Sequence, residues 1–340
     1  MKLIIQIPCW NEAETLPIAF AALPRAVPGF DQVETLVIDD GSSDRTVEVA
    51  RALGVTHVLR LVTHQGLAAA FQRGVLECLR LGADVVVNTD ADNQYCADDI
   101  PLLVAPIVSG AAEYVIGDRS VEALPHFSWV KKKLQRFGSW VVRVASKTAI
   151  PDTTSGFRAL SRRAILQLSV HSNYTYTHET LIQAGRKDIP VVSVKVRVNP
   201  VTRPSRLFRS IPRYVLRSGD TIARIWLIYN AFRFLSGCAL AAFGLGAGLG
   251  LLHLGLALAG AAVPGPWLLV GAGALLLLAV QLLLFACLAD LLAVNRRILE
   301  EQLHYLRSAH FAGSAPPPGR EPPAHVEEAR EVDRLEQRVP

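Results

Sequence analysis

Two carboxylates, Asp90 and Asp92, stand one residue apart in VVVNTDADNQY, residues 85–95, where a valine-rich run ends. Acidic side chains at that spacing on a turn can reach one hard divalent cation, and an all-oxygen neighbourhood suits magnesium or manganese rather than zinc. A cation held by only two or three protein oxygens keeps coordination positions for substrate phosphates, which points to a nucleoside diphosphate substrate. A second acidic pair, Asp39 and Asp40, closes the run TLVID at 35–39 and opens the turn DDGSSD. Ser43 and Asp44 in that turn are expected to cap the following helix, a role that leaves Asp39 and Asp40 unexplained.

These clusters fall at regular places. LIIQI (3–7), TLVID (35–39), HVLRLV (57–62), DVVVNT (84–89) and YVIGD (114–118) read as strands, and helical patterns at 13–23, 44–53, 67–80 and 98–108 lie between them. Strands alternating with helices predict an α/β fold with a mostly parallel sheet covered by helices on both faces. Ligands in such sheets bind beyond the carboxyl ends of the strands. The polar turns PCWNE, DDGSSD, THQG, TDADNQ and GDR sit at those five ends and together make a site. Further on come an amphipathic helix pattern at 128–148, the segment PDTTSGFRAL, a helical run at 177–187 and the strand VVSVKVRV at 191–198.

The chain has 340 residues, 51% of them hydrophobic, and the apolar excess is concentrated in the last third. No Asp, Glu, Lys or Arg occurs from Phe234 to Ala289. A bilayer core takes about 20 apolar residues in a helix, so the stretch predicts two spans, roughly 234–260 and 267–293, turning at AAVPGPW. A buried helical pair in a soluble core is the competing reading, and the charge-free length argues against it. Arg224, Arg233, Arg296 and Arg297 flank the outer ends, which by the positive-inside tendency puts both ends and the N-terminal domain in the cytoplasm. Arg206, Arg209, Arg213 and Arg217 recur at helical spacing just before the first span, a pattern for a helix lying in a membrane surface.

The resulting division is an α/β domain at 1–202, a basic juxtamembrane segment at 203–232, two transmembrane helices at 233–294, a cytoplasmic helix at 295–312 and a disordered tail at 313–340. MKLIIQIPCWNE is too short and too polar in its apolar run to read as a signal peptide. The five cysteines form no CxxC pair, which suits a reduced compartment. The net charge of +5 lies beside the apolar segments and no aromatic RNA motif accompanies it, so lipid headgroups explain it better than nucleic acid. Neither a Walker lysine loop nor a GxGxxG after the first strand is present, which disfavours P-loop and ordinary dinucleotide enzymes.

IPCWNEAETLP, VIDDGSSDRT, HQGLAAAFQRG, TDADNQY, IGDRS and DTTSGFRALSRRA occur in the order and spacing of the family 2 glycosyltransferases, over about residues 3–220. The chain resembles most the polyprenyl-phosphate branch of that family, which includes dolichol-phosphate mannose synthases. The resemblance implies a GT-A fold, a Rossmann-like sheet, here followed by a C-terminal transmembrane hairpin. It also implies inverting transfer of a sugar from a UDP-sugar or GDP-sugar to a polyprenyl phosphate, with Mg2+ or Mn2+ as cofactor.

Residue by residue, the resemblance puts Pro8, Trp10, Glu12, Ile38, Asp39 and Asp40 around the nucleoside. It puts Asp90, Ala91 and Asp92 at the diphosphate, with Asp90, Asp92 and Gln94 as metal ligands. Arg119 would contact phosphate, and Asp152 and Arg158 would lie near sugar and acceptor. The family's RxxGxSK segment reads TRPSRLFRS here: Arg203 matches its start, Arg206 or Arg209 its final lysine, and the glycine is missing. Arg203 and Arg209 would then reach the donor and lipid phosphates. Asp90, Asp92, Arg119 and Asp152 form the expected catalytic set, with Asp152 or Glu179 as base if one is needed and His178 packing or capping.

Two rival readings are a family 2 enzyme with a saccharide acceptor and an inactive membrane scaffold. The missing QxxRW motif counts against a processive synthase, and retention of Asp90, Asp92, Gln94 and Arg119 counts against the scaffold. The expected partners are the nucleotide-sugar, the polyprenyl phosphate and membrane lipid, with a homo-oligomer left open.

Overall fold

The computed structural model describes residues 1–120, 148–170, 176–200, 211–260 and 266–314, with Val142, Arg143 and Ser146 besides. Of 211–225, 228 and 229 it describes the backbone alone. Arg203, Arg206 and Arg209, most of the 128–148 pattern, most of the turn between the predicted spans and the tail from 315 lie outside the described residues.

Among the described residues seven strands make one sheet: β1 (Lys2–Cys9), β2 (Gln32–Asp39), β3 (His57–Arg60), β4 (Val85–Asn88), β5 (Tyr114–Asp118), β6 (Arg158–Ser161) and β7 (Val191–Lys195), in the order β3-β2-β1-β4-β6-β5-β7. The sequence reading missed β6, a four-residue strand that follows a turn-rich segment and has no alternation to betray it. It pairs antiparallel with both β4 and β5, while the other pairs are parallel. All strands except β6 therefore run the same way. Their carboxyl ends share an edge with the amino end of β6, and the chain entering β6 is delivered to that edge.

The valine and isoleucine runs are continuous rather than alternating because these strands are covered on both faces. Leu3, Ile4, Ile5, Ile7, Val85, Val86 and Val87 are all buried. Among the described residues the helices between strands are α1 (Leu16–Ala21), α2 (Thr46–Ala52), α3 (Leu67–Arg80), α4 (Ile100–Val108), α5 (Arg162–Gln167) and α6 (Thr177–Arg186). On α3 the buried residues Ala70, Phe71, Gly74, Val75 and Cys78 recur at helical spacing. Ser161 caps α5, its side chain accepting from the Ala164 N–H.

The chain divides into two compact units, residues 1–219 with the chain from His304 onward, and residues 220–303. The second unit holds the greater part of α7 (Ile211–Leu258) and of α8 (Trp267–His310), helices of 48 and 44 residues. Two stretches, Asn230–Leu258 and Trp267–His310, are long and apolar enough to cross a membrane. Ala272, Ala279 and Ala286 recur every seven residues and are buried, as are Ala239 and Ala242 of α7, while many leucines are exposed. Small residues inside and large apolar ones outside suit two helices packed closely in lipid. In the first unit, Arg307 Nη1 donates to Leu168 O at 2.9 Å and Arg162 Nη2 to Phe311 O at 2.7 Å.

Candidate active site

The site edge begins with two cross-tied loops. Pro8 pairs with Ile38 and Cys9 with Asp39 in the β1–β2 register, so the turns after these strands leave side by side. Asn11, at φ 54°, accepts the Ser43 N–H at 2.9 Å through Oδ1, and its own N–H donates to Ser42 Oγ at 2.9 Å. The Glu12 N–H donates to Thr46 Oγ1 at 2.9 Å, and Glu12 Oε2 accepts from Thr15 at 2.6 Å. Asn11, Ser42 and Thr46 thus hold Trp10 and Glu12 in place. Neither Ser43 nor Asp44 is the cap of α2, whose capping position is Arg45 without a side-chain bond: the Ser43 hydroxyl donates to Asn11 Oδ1 at 3.3 Å, and Asp44, one residue before the cap, accepts the Thr46 N–H at 3.0 Å.

Asp39 and Asp40 do different work. Asp39 accepts the Ser42 N–H at 3.2 Å through Oδ1, and its Oδ2 lies 3.5 Å from Arg60 Nε. Asp40 accepts the Gln65 and Gly66 N–H groups, each at 2.8 Å, and its Oδ2 is 2.8 Å from His64 Nδ1. Asp40 therefore fastens the loop that opens α3, a job not visible in the DDGSSD motif. Trp10 stacks on His64 with ring centroids 4.2 Å apart and planes 21° apart.

Next along the edge is the acidic turn after β4. Asn93 takes the left-handed conformation at φ 57°, and the Gln94 N–H donates to Asp92 Oδ1 at 3.2 Å. Asn199, beyond β7, straps the turn from outside: its Nδ2 donates to Asn93 O at 3.0 Å and Tyr95 O at 3.2 Å, and its N–H donates to Gln94 O at 2.9 Å. The β4 end is also held from within. Gln6 Nε2 donates to Asn88 Oδ1 at 2.9 Å, and Asn88 Nδ2 donates to Gly156 O and Tyr176 Oη, both at 2.9 Å.

Gly156 backs onto Asp90. A Cβ there would lie 3.2 Å from Asp90 Oδ2 and 3.2 Å from the Tyr176 hydroxyl. The Gly156 N–H donates to the Tyr95 hydroxyl at 2.8 Å. Burial, reinforced by the Asp90 charge, raises the Tyr176 hydroxyl well above the ordinary tyrosine range. Burial also takes Tyr95 up to about 12, against the pull of Arg119. Both phenols stay protonated and serve as neutral hydrogen-bonding props beside a carboxylate.

Arg119 and Asp152 meet where β5 ends and the chain turns toward β6. Nε lies 2.7 Å from Oδ2 and Nη2 3.0 Å from Oδ1, while Nη2 also donates to Thr154 Oγ1 at 2.8 Å. Burial alone would raise the Asp152 carboxyl, but the Arg119 charge and hydrogen bonds, with Thr154, hold it below the usual range. Burial opposes the Arg119 charge in turn, and Tyr95, Asp152 and Asp90 more than offset it.

Arg158, expected near sugar and acceptor, is fully buried. Its guanidinium donates to Ser155 O at 2.6 Å, Thr153 O at 2.9 Å, Thr177 O at 2.9 Å, Thr180 Oγ1 at 3.1 Å and the Tyr114 hydroxyl. It ties the 152–156 loop to the first turn of α6 and so acts on the site by holding that loop. His178 packs in the same region, its Nδ1 buried and with no partner among the described residues. Glu179 Oε1 accepts from Gln183 Nε2 at 3.3 Å within α6.

The residues suited to a divalent cation are Asp90, Asp92 and Gln94, which offer hard oxygen donors only. Among the described residues no group of three or more His, Cys, Asp and Glu side chains converges. The set fits a cation that completes its shell with substrate oxygens better than a closed structural site. The sequence missed His64, Asn88, Tyr95, Gly156, Tyr176 and Asn199, whose parts depend on neighbours distant in the chain.

The sequence profile of Glycosyl transferase family 2 matches residues 4–168. The polyprenol monophosphomannose synthase of Mycolicibacterium smegmatis is 30% identical over 206 residues, covering 57% of this chain and 76% of that enzyme. The undecaprenyl-phosphate mannosyltransferase of Micrococcus luteus is 33% identical over 165 residues, covering 47% of this chain and 66% of that enzyme. Among solved structures, glucosyl-3-phosphoglycerate synthase from Mycobacterium tuberculosis in complex with Mg2+ and uridine-diphosphate superimposes with a TM-score of 0.51 at 20% identity, over 65% of this chain and 79% of that one. That last likeness is one of fold. The profile match spans the strand ends that carry the acidic turns, and the sequence likeness extends over three quarters of a named synthase, so the chain belongs to glycosyl transferase family 2 and is a glycosyltransferase.

Proposed function

We propose that this chain is a membrane-anchored, inverting transferase that moves a sugar from a UDP-sugar or GDP-sugar to a polyprenyl phosphate on the cytoplasmic face. The observation that carries the reading is the gathering of the Asp90–Asp92 turn and the Arg119–Asp152 pair on one sheet edge, in a chain with two candidate spans. The names of the two sequence relatives, both transferring to lipid phosphates, support it.

In this reading Pro8, Trp10, Glu12, Ile38, Asp39 and Asp40 line the nucleoside pocket, and Asp40 also orders the loop that opens α3. Asp90, Asp92 and Gln94 would hold Mg2+ or Mn2+, which when bound supplies charge neutralisation at the departing nucleoside diphosphate. An oxygen of the lipid phosphate attacks the anomeric carbon as the bond from that carbon to the diphosphate oxygen breaks, inverting the centre. A phosphate monoester is already anionic near neutral pH, so the chain needs to orient it rather than deprotonate it. Asp152, committed to Arg119, orients that arginine toward phosphate; it is not required as a base. Arg203 and Arg209 are assigned to donor and lipid phosphates, and the spans hold the site where a soluble donor meets a lipid acceptor.

The test is radiolabel transfer from a panel of UDP-sugars and GDP-sugars to undecaprenyl or dolichyl phosphate by the purified full-length protein. Organic-extractable label that EDTA abolishes is the expected result. Label on added saccharides in place of lipid would move the assignment to a saccharide acceptor, and no transfer by folded protein would favour an inactive scaffold.

A further inference from the structure

We infer that His64 is a positioning residue for the donor nucleobase, acting through Trp10; the inference rests on the nucleotide-sugar reading above. Trp10 is 41% exposed at the carboxyl end of β1, where the reading above puts the nucleoside. His64 lies against it at a centroid distance of 4.2 Å, so the tilt and height of the indole are set by the imidazole.

His64 is itself fixed. Its Nδ1 lies 2.8 Å from Asp40 Oδ2 and 3.3 Å from Asp40 O. Both partners are acceptors, so Nδ1 carries the proton and donates. Asp40 is held in its turn by the Gln65 and Gly66 N–H groups at 2.8 Å, and its side chain is 4% exposed. The two loops also touch through Gly41, at φ 67°, where a Cβ would fall 2.7 Å from His64 N. Turns from the three adjacent strands β1, β2 and β3 thus converge in one column, Trp10 on His64 on Asp40. Movement of the imidazole would require breaking a contact to a buried carboxylate.

A stacking platform serves purines and pyrimidines alike, because every base has a π face. His64 therefore contributes donor affinity without choosing the base. It touches neither the transferred sugar nor the acceptor, so the effect belongs to ground-state binding: KM rises and kcat holds.

The experiment is calorimetric titration of the full-length, detergent-solubilised protein with UDP and with GDP in the presence of Mg2+, alongside donor KM and kcat. His64→Ala is expected to weaken both nucleotides by about three- to tenfold, the range of an aromatic pair, and to raise donor KM by the same factor at constant kcat. His64→Phe, which keeps a ring on the indole but cannot donate to Asp40, recovers part of the lost affinity. In the Trp10→Ala background His64→Ala adds no further loss, since its effect passes through the indole.

An unaltered affinity in His64→Ala, a loss confined to one nucleotide, failure of folded His64→Phe to recover any of the lost affinity, or additive losses in the double variant would each overturn the inference. If the wild-type protein binds neither nucleotide, the nucleotide-sugar reading falls and this inference with it. Normal wild-type binding with an insensitive His64→Ala overturns this inference alone.

Discussion

Arg119 and Asp152, 33 residues apart in sequence, form a two-point ion pair at the point where β5 ends and the chain turns back into β6. Each partner is largely enclosed, with side-chain exposures of 17% and 2%, so neither charge is well solvated without the other. Asp152→Asn is expected to lower stability by about 3 kcal/mol, because it leaves the arginine buried without its counter-charge. Thermal melting of the solubilised protein measures this. The folded carboxyl is depressed, so its stabilisation is present above the ordinary carboxylate range and disappears only as pH falls through the lowered value. Transfer should accordingly show no acid limb from Asp152 between about pH 5 and 8. A limb in that window that vanishes in Asp152→Asn would return this residue to the role of base.

Asp92→Ala is expected to abolish transfer while leaving the fold and membrane insertion intact. Asp92 sits on a surface turn whose shape is also maintained by Asn199 and the left-handed Asn93. Mn2+ binding followed by electron paramagnetic resonance, together with the melting temperature, separates loss of the cation from loss of structure. Full activity in the variant would sink the assignment of the acidic turn as a metal site.

Gly156→Ala places a methyl group 3.2 Å from both Asp90 Oδ2 and the Tyr176 hydroxyl. Asp90 must then shift by a few tenths of an ångström; a misplacement of about 1 Å near reacting groups costs about a hundredfold, so this smaller shift is expected to lower the rate by up to about tenfold. The expected outcome is a fall in kcat with a small change in melting temperature. Unchanged kcat would mean that the carboxylate tolerates the displacement.

His178 contributes to acid sensitivity. Burial and the nearby Arg158 charge lower its folded-state pKa to about 4, below the ordinary histidine value. Above the unfolded value of about 6.5 both states are neutral; as pH falls from there toward 4, the unfolded chain takes a proton that the folded protein refuses. Stability therefore declines across that window, by on the order of 3 kcal/mol at its lower end, and the decline levels off below it. His178→Leu should flatten this slope in urea unfolding at pH 7 compared with pH 4.5. An unchanged slope would place the acid sensitivity elsewhere.

Much of the architecture was legible because it depends on local pattern. The apolar runs before PCWNE, DDGSSD and TDADNQ became β1, β2 and β4, and the 67–80 periodicity became α3 with the same limits. The charge-free stretch after Phe234 falls, outside 259–266, within two helices long enough for a bilayer. Strand β6 was not legible, since only four residues pair and their neighbours are supplied by strands 70 or more residues earlier and more than 40 earlier. Arg158 was misread for the same reason: its surroundings of carbonyls, hydroxyls and tyrosine rings come from the 153–155 loop, β5 and α6, and none is signalled by SGFR itself.

By itself the sequence determined which residue types stand at the strand ends, and hence the class of chemistry, because strand periodicity and turn composition are properties of short segments. The tertiary structure decided which of those residues are presented and which are consumed. Asp40 faces its own neighbours' N–H groups, Asp152 is committed to Arg119, and Trp10 rests on His64. Identical motifs could bind or brace; only packing between distant segments, which fixes the partner of each buried charge, settles the choice.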